Sequence, residues 1–416
     1  MKSTQMKKVI CLILAVALAA VCVGCGGETG NSIPSAPATA PSEGASSEKD
    51  ADSNSEKIVI ANLVPMTGEM SAFGEPEFNT LQMLVDKQNE EGGILGMQLE
   101  LKTYDTRGDN VETVNAAKKA IQNDNVNVVI GCTSSGPSIA LAEICTEYKI
   151  PQIVTTGTNT KVTVDDSGNV RPYTFRVGLA DPQISELIAE YAYYEMGIKT
   201  VGILYEISSD YSVGLKDDFI NAFVASGGEI VAEEAYKMGD VDFRAQLTKL
   251  KDCGADALFL PCTYKELGLA TKQARDLGVE QQFIGPDCWI AKDLFDVAGD
   301  ALEGAYFVAP IPSDDPRLEE FNDWYRGVFN KEPDDSGSNA YFAYDAFELL
   351  KKAIEIAGSA EPQAIADALQ GITEVPGILG PFSMNPDNHN PNREATIMRI
   401  ENQSFVPVVK ASPDDH

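Results

Sequence analysis

The chain has 416 residues, with 63 acidic against 32 basic side chains and a formal charge of −31. This charge repels phosphate backbones and excludes nucleic acid as a partner, while a hydrophobic content of 44% is sufficient for cores in two or three domains. Two histidines, His389 and His416, are too few for Ser-His-Asp or multi-histidine zinc chemistry. We therefore expect a globular protein that is not a hydrolase or other enzyme, with no metal and no cofactor.

The N-terminus has the pattern of an export signal. Three lysines precede an apolar run over residues 9–23, which is too short to span a membrane comfortably. The run ends in Cys22-Val23-Gly24-Cys25-Gly26, which resembles a bacterial lipobox, although Cys22 stands where that pattern usually has Leu. We expect residues 1–24 to be a lipoprotein signal peptide and Cys25 to carry the lipid. An ordinary secretory signal cut nearby is the alternative.

The segment that follows is predicted to be a tether. Residues 25–56 are rich in Ser, Ala, Gly, Pro and Glu and contain no aromatic side chain, so they cannot bury enough apolar surface to fold. No later apolar run reaches the length of a membrane span. The expected location is therefore the extracytoplasmic face of the cell membrane, held by the lipid anchor.

From residue 57 onward, short β-branched runs alternate with helical segments, as in parallel sheets with helical crossovers. A first series has strands at 57–64, 98–104, 126–130 and 152–155 and helices at 75–91, 110–124 and 136–148. A second series has strands at 200–205, 229–236, 256–261 and 282–285 and helices at 181–196, 211–226, 242–252 and 264–277. The remaining chain adds helices at 316–330, 338–357 and 361–371 and a hairpin with strands at 395–401 and 405–409. The predicted fold class is α/β, with two doubly wound parallel-sheet lobes.

Ligands of open parallel sheets bind beyond the carboxyl ends of the strands, and the loops there differ between the two series. In the first, the loops 131–137 and 155–159 offer hydroxyls and free N–H groups, which suit a carboxylate. In the second, the loops 261–264 and 285–289 offer an acid and aromatics, which suit an ammonium group and an apolar side chain. A site between the lobes would match an α-amino acid zwitterion.

Several motifs, weak singly, together resemble a known family in order and spacing over residues 57–409. They are Pro65-Met66-Thr67-Gly68 with Phe73-Gly74, Asn89-Glu90-Glu91-Gly92-Gly93-Ile94, the Ser135 loop, Thr156 with Thr158, Ser209-Asp210-Tyr211-Ser212-Val213-Gly214, Lys272-Gln273-Ala274-Arg275 with Gly278, and Gly285-Pro286-Asp287. The chain resembles the type I periplasmic binding proteins, specifically the branched-chain amino-acid (Leu/Ile/Val) binding lipoproteins of ABC importers. The resemblance implies two lobes joined by a three-strand hinge that crosses near residues 178, 310 and 393. One lobe would comprise 57–178 plus 310–393, and the other 179–309 plus 394–416.

The resemblance also implies roles for site residues. Ser135 and Thr158 would hold the ligand carboxylate, and Thr156 would contribute through its backbone. Asp287 would take the ammonium, and Tyr211 would close from the second lobe. Asp287 is one methylene shorter than the Glu of some relatives.

Other positions complete the expected site. Ser134 belongs to the carboxylate loop, and Phe73 stands where the resemblance leads us to expect a tyrosine. The aromatic expected near 263 is replaced by Thr263 or supplied by Tyr264. Trp289, two residues beyond Asp287, would be a further wall.

Structural explanations compete with these roles. Ser135 and Thr158 can serve as helix caps, and Asp287 can serve as a turn residue or cap. Five cysteines of the folded body lack metal-ligand spacing. Cys262 and Cys288 end neighbouring strands, so a disulfide between them is geometrically possible, although we expect buried thiols.

These observations predict a monomeric substrate-binding protein that delivers a small amino acid, Leu, Ile or Val first, to an ABC permease. Alternatives are a ligand-sensing module for a receptor, or a binder of another small amide or aromatic acid. A small-molecule hydrolase is disfavoured by the missing histidines and by the absence of a Walker loop or nucleophile elbow.

Overall fold

The computed structural model describes residues 57–411. The predicted signal peptide, Cys25 and the tether therefore lie outside the described residues, as do residues 412–416. Within the described part of the chain, no helix is long and apolar enough to cross a membrane.

The first sheet follows directly from the first β-branched runs of the sequence. Its strands are β1 (Ile58–Val64), β2 (Leu99–Asp105), β3 (Val128–Gly131), β4 (Gln152–Val154) and β5 (Thr174–Arg176), all parallel, in the order β2-β1-β3-β4-β5. The helices α1 (Ser71–Glu90), α2 (Asn110–Asp124) and α3 (Ser135–Tyr148) connect the first four strands. The side chain of Asp109 caps α2 by accepting from the N–H groups of Val111 and Glu112 at 2.8 and 3.0 Å, which fixes the start of that helix.

The second sheet has seven strands: β6 (Thr200–Glu206), β7 (Glu229–Tyr236), β8 (Ala257–Phe259), β9 (Gln282–Gly285), β10 (Tyr306–Ala309), β11 (Ala395–Glu401) and β12 (Ser404–Ala411). Their order is β12-β11-β10-β9-β8-β6-β7. The strands β6 to β10 pair in parallel, and β11 and β12 join as an antiparallel hairpin. The associated helices are α4 (Asp181–Glu190), which continues into a π-helical turn (Tyr191–Glu195), α5 (Asp210–Ala225), α6 (Arg244–Asp252), α7 (Tyr264–Asp276) and α8 (Leu294–Ala298).

Three later helices return to the first sheet. The helices α9 (Glu319–Phe329), α10 (Asn339–Ala357) and α11 (Pro362–Leu369) share one apolar core with β1, β3 and β5. We call the first sheet with α1 to α3 and α9 to α11 lobe 1, and the second sheet with α4 to α8 lobe 2.

The chain passes between the two lobes three times. In each case one residue belongs to the core of one lobe and a nearby residue to the core of the other: Val177 and Leu179, Ala309 and Ile311, and Met384 and Ala395. Close to the third passage, Arg393 forms a fully buried ion pair with Asp345 of α10 at 2.6 Å. The predicted α/β fold with two parallel-sheet lobes is confirmed.

Two strands of the structure were not among the predicted elements. They are β5 and β10, which have three and four residues, and both lie at places where the chain is about to leave its lobe. All five cysteines of the described residues are unpaired; Cys132, Cys145 and Cys262 are buried as predicted, whereas Cys253 and Cys288 are partly exposed.

Candidate functional site

A cavity of about 190 Å³ lies between the two lobes, beyond the carboxyl ends of both sheets. It exceeds the roughly 150 Å³ that suffices for a benzene molecule, so it fits a small ligand. Lobe 1 and the passage at Pro310 contribute Met70, Phe73, Gly108, Asn110, Thr133, Ser134, Ser135, Gly136, Pro137, Thr156, Pro310, Ser336, Gly337, Ser338, Asn339 and Phe342. Lobe 2 contributes Ser208, Ser209, Asp210, Tyr211, Met238, Thr263, Asp287, Cys288 and Ile290.

The start of α3 forms the hydroxyl-rich end of the cavity. Ser134 precedes the helix, makes no side-chain cap hydrogen bond, and lines the cavity together with Ser135. The Ser135 hydroxyl accepts from the N–H of Asn159 at 3.2 Å, which leaves its proton available to donate. Neither serine caps α3 through its side chain, so the N-terminal dipole of this helix faces the cavity uncapped.

The loop after β4 supplies one predicted residue to the cavity and keeps the other behind it. Thr156 lines the cavity and donates from its hydroxyl to the carbonyl of Thr133 at 2.6 Å. Thr158 is 2% exposed, does not line the cavity, and its hydroxyl has no hydrogen-bond partner among the described residues. The cap of the next short helix is Asn159, which accepts from the N–H of Lys161 at 2.9 Å, so Thr158 is not a cap.

Lobe 2 places an acid and a phenol opposite these hydroxyls. The Tyr211 hydroxyl donates to Asp287 Oδ1 at 2.9 Å, and both residues line the cavity. Burial raises the pKa of Asp287 to about 6, opposed by this hydrogen bond and by nearby backbone N–H groups. Asp210 and Asp287 are the charged residues among those described that line the cavity, and both are acids.

The structure brings part of the predicted apolar wall to the cavity. Phe73 and Thr263 line the cavity, whereas Tyr264 lies outside it and packs edge-to-face on Phe73 at 5.5 Å. Trp289 is fully buried in the core of lobe 2, where its Nε1 donates to the carbonyl of Leu260 at 3.2 Å. The expectation that Trp289 is a wall of the site is therefore wrong in placement, because the short helix after β9 turns its ring inward over Gly285.

Some residues at the site were not anticipated, among them one polar segment and one buried acid. The segment 336–339 brings Ser, Gly, Ser and Asn to the cavity at the start of α10. Glu77 of α1 is fully buried behind the cavity, where it accepts from Asn339 Nδ2 at 3.1 Å and from the Thr155 hydroxyl at 2.9 Å. A hydroxyl-rich run that opens a helix, as at Ser134, is the signal that could have pointed to 336–339. Glu77 has no such signal.

The two lobes touch each other around the cavity. Asn159 of lobe 1 donates to the carbonyl of Asp210 in lobe 2 at 2.7 Å. On another side, Lys292 of lobe 2 pairs with Asp334 of lobe 1 at 2.8 Å, and the N–H of Asp293 donates to the carbonyl of Asp335 at 3.1 Å. These contacts enclose the cavity from both lobes.

The cavity therefore has two chemically different ends. The lobe 1 end offers hydroxyl and backbone donors and no charged side chain from the described residues of lobe 1 itself, which suits an anion, although the Asp210 carboxylate of lobe 2 lies close to Gly136 in the first turn of α3. The lobe 2 end offers the Asp287 carboxyl group, which suits a cation. The apolar side chains of Phe73, Ile290 and Phe342 also line the cavity.

The chain is similar to known proteins over almost the whole of this structure. The profile of the periplasmic binding protein family matches residues 57–404. The leucine-, isoleucine-, valine-, threonine- and alanine-binding protein of Pseudomonas aeruginosa is 30% identical over 329 residues, which cover 78% of this chain and 85% of that protein.

Solved structures agree with this match. A leucine-binding protein from Thermotoga maritima has a TM-score of 0.78 and 31% identity, covering 86% of this chain and 100% of the other. The isoleucine complex of a branched-chain amino acid transporter substrate-binding protein from Streptococcus pneumoniae has a TM-score of 0.76 and 28% identity, covering 86% and 100%.

Two α/β lobes around one small cavity, crossed three times by the chain, define a two-lobed ligand-binding protein. With the family match over residues 57–404, the chain belongs to the periplasmic binding protein family. The resemblance predicted from the sequence motifs is confirmed.

Proposed function

We propose that this protein is the extracytoplasmic substrate-binding component of an ABC importer and that it binds a branched-chain α-amino acid between its lobes. One observation carries the proposal. The donor-rich end formed by Ser135 and Thr156 faces the Tyr211–Asp287 pair across a single cavity. An α-amino acid zwitterion presents a carboxylate and an ammonium group to match these two ends.

We assign the polar contacts accordingly. Ser134, Ser135 and the loop at Thr156 receive the carboxylate, because they line the donor-rich end. Asp287 receives the ammonium, and Tyr211 holds the Asp287 carboxyl group in place through its 2.9 Å hydrogen bond. Thr158, which lies behind the cavity surface, supports the carboxylate loop from within: its carbonyl accepts from the N–H of Asp181 at 2.9 Å.

The apolar part of the cavity supports an aliphatic side chain. Phe73, Ile290 and Phe342 line the cavity, so an aliphatic ligand side chain placed against them removes its own apolar surface from water and gains from the hydrophobic effect. The names of the relatives, which are leucine- and isoleucine-binding proteins, support the same assignment.

The arrangement of the chain supports delivery of the ligand to a membrane permease. The three passages between the lobes serve as a hinge, so that ligand contacts with both lobes favour the closed form. The Cys25 lipid anchor and the tether hold the protein at the membrane, where an ABC permease is the partner. The export signal in residues 1–24 supports this location.

A thermal-shift screen of the full chain tests the ligand assignment. Free Leu, Ile and Val are expected to raise the midpoint, and a ligand at 100 times its Kd stabilises by about 2.7 kcal/mol. Leucinamide lacks the carboxylate and N-acetylleucine lacks the ammonium, so both are expected to fail. Aromatic acids are expected to fail for the same reason as N-acetylleucine. A shift with benzoate and none with leucine would overturn the zwitterion assignment.

A further inference from the structure

Glu77 is a buried acid that contacts the lobe 1 end of the cavity from behind. Its Oε2 accepts from the Thr155 hydroxyl at 2.9 Å, and its Oε1 accepts from Asn339 Nδ2 at 3.1 Å. The Thr156 hydroxyl, which donates to the carbonyl of Thr133, lies 3.4 Å from Oε1. Thr156 and Asn339 both line the cavity. A single carboxyl group thus connects two cavity walls that are 183 residues apart in the chain (339 − 156).

Among the described residues, none of the groups that hydrogen-bond to the Glu77 carboxyl group carries a positive charge. The groups that face it are hydroxyls from Thr133, Thr155 and Thr156 and the amide of Asn339. The thiol of Cys132, at the end of β3, also faces Glu77, and its pKa is raised by burial and by the charge of Glu77, so this thiol stays neutral. Burial raises the pKa of Glu77 itself to about 7, and the hydrogen bonds from Asn339 and the threonines oppose this increase.

A negative charge at this position conflicts with a carboxylate ligand. The ligand carboxylate would contact Ser135 and Thr156 at the cavity surface. Thr156 lies 3.4 Å from Glu77, so only this residue separates the ligand carboxylate from the Glu77 carboxyl group. Two like charges so close in a water-poor site repel each other, and protonation of one of them removes the repulsion. The Thr133 hydroxyl faces Glu77 and has no other hydrogen-bond partner among the described residues, so its oxygen can accept a hydrogen bond from the protonated Glu77 carboxyl group.

We propose that Glu77 is a proton-linked positioning residue: it orients Thr155, Thr156 and Asn339, and it takes up one proton when the ligand carboxylate enters the cavity. This inference rests on the proposed function, since it requires a ligand that brings a carboxylate to lobe 1. Binding then becomes weaker as the solution becomes alkaline. The effect is opposite in sign to that of Asp287, whose ionised form is the one that pairs with an ammonium group.

The experiment is isothermal titration of the full chain with leucine. It is done between about pH 7 and about pH 8.5 in buffers that differ in ionisation enthalpy, so that the number of protons exchanged is measured directly. At about pH 8 the wild-type protein is expected to take up roughly half a proton or more per ligand, and its Kd is expected to rise by up to about tenfold per pH unit. Glu77→Gln keeps the shape of the side chain and removes the titration, so its Kd is expected to be flat over this range with no proton uptake.

The matched control is Glu75→Gln on the same helix. Glu75 is exposed and pairs with Lys331 at 2.6 Å on the surface, so this variant is expected to keep the wild-type pH profile. The wild-type proton count needs no variant, which keeps the test valid if Glu77→Gln unfolds. Leucine binding with no proton uptake, or with equal uptake in wild type and Glu77→Gln, would overturn the proposed role of Glu77 and leave the proposed function standing. If no free amino acid binds at any pH, the proposed function fails and the role of Glu77 fails with it.

Discussion

Under the proposed assignment, the Asp287 side chain combines ligand recognition with a pH limit. It lies on lobe 2, accepts from Tyr211, and has its pKa raised by burial to about 6. The empty site at acidic pH therefore holds a proton where the ammonium group should sit. A ligand ammonium group bound at Asp287 would have to displace this proton, so the proposed assignment predicts an affinity that depends on pH just below neutrality.

We predict that Asp287→Asn loses both the affinity and its acid dependence. Removal of the charge leaves a buried ammonium without its partner, which costs about 2 to 5 kcal/mol in binding. In the wild type, Kd should rise by up to about tenfold per pH unit as pH falls below about 6, because the protonated acid no longer binds the cation. Isothermal titration with leucine at a series of pH values measures both effects.

Tyr211→Phe is the companion variant for this prediction. It removes the hydroxyl that donates to Asp287 and that lowers its pKa, so the acid limb should move to higher pH. The affinity at neutral pH should weaken by about 0.5 to 1.5 kcal/mol, the usual worth of one hydrogen bond. Unchanged leucine affinity in Asp287→Asn would remove Asp287 from the ammonium site.

The residues that could be predicted from sequence are those on short loops at strand ends. Ser135 and Asp287 stand directly after strands whose β-branched runs are visible in the sequence, so the rule for parallel sheets places them at the site. Glu77 could not be found this way. It lies inside an amphipathic helix, where an acid is ordinarily solvent-facing, and its partners Thr155 and Asn339 are 78 and 262 residues away.

The residue pattern and the order of the elements explain which parts of the fold were predictable. Long runs such as β1 and β7 carry a clear pattern, and their bounds were predicted within one residue. The strands β5 and β10 are about as short as β4 and β8, but no predicted helix separates them from the strand before, so the alternation of strand and helix did not reveal them. They are held in their sheets by pairing with β4 and with β9 and β11. Trp289 was misplaced because its direction depends on a short 3₁₀ turn after β9, which the sequence does not specify.

The helix α5 of lobe 2 contacts lobe 1 directly. Its side-chain cap is Ser209, which accepts from the N–H of Ser212 at 3.2 Å, and its first residue, Asp210, offers a carbonyl to Asn159 of lobe 1 at 2.7 Å. Gly214, one turn further on, lies so close to Asn159 and Asp181 that a Cβ atom there would collide with both side chains. The absence of a side chain at Gly214 thus permits the close approach of the two lobes.

We predict that Gly214→Ala weakens leucine binding by roughly tenfold, because overpacking by one methyl group at a tight contact costs about 1 to 3 kcal/mol. Isothermal titration measures the affinity, and chemical denaturation measures the stability of the free protein. The control is Gly327→Ala in α9, where a Cβ atom meets nothing within 4 Å. This variant should bind normally and gain up to about 1 kcal/mol of stability from helix propensity. If Gly214→Ala lowers stability but leaves the affinity unchanged, the added methyl group clashes only with Asp181 within lobe 2, and the prediction is wrong.

At the scale of the whole molecule, two features make the folded protein more stable in mildly acidic solution than in alkaline solution. The formal charge of −31 destabilises a compact chain by self-repulsion, and this term lessens as acids take up protons. Separately, burial raises the pKa values of Glu77 and Asp287 to about 7 and about 6, and that of Asp181 well above its usual range. Both features oppose stability at alkaline pH, but they differ in how salt affects them.

The sign of the buried contribution follows from proton binding. A carboxyl group whose pKa is higher in the folded state than in the unfolded chain binds more protons when folded, so its contribution to stability is lost as pH rises through that interval. For Glu77 the interval runs from about 4.5 to about 7, which corresponds to roughly 3 kcal/mol. At the acid end the direction reverses, because hydrogen bonds lower the pKa of Asp105 despite its partial burial, and protonation of such groups destabilises the fold.

We predict that the ligand-free protein has its highest melting temperature near pH 5 and that the midpoint falls steadily toward about pH 8. Scanning calorimetry at low salt and at about 1 M salt separates the two causes, because a Debye length of about 3 Å screens surface charges but acts weakly on buried groups. If Glu77, Asp181 and Asp287 are responsible, the fall persists at high salt. If the decrease in melting temperature disappears at high salt, its cause is the surface charge. The buried acids would then contribute little to the pH dependence of stability.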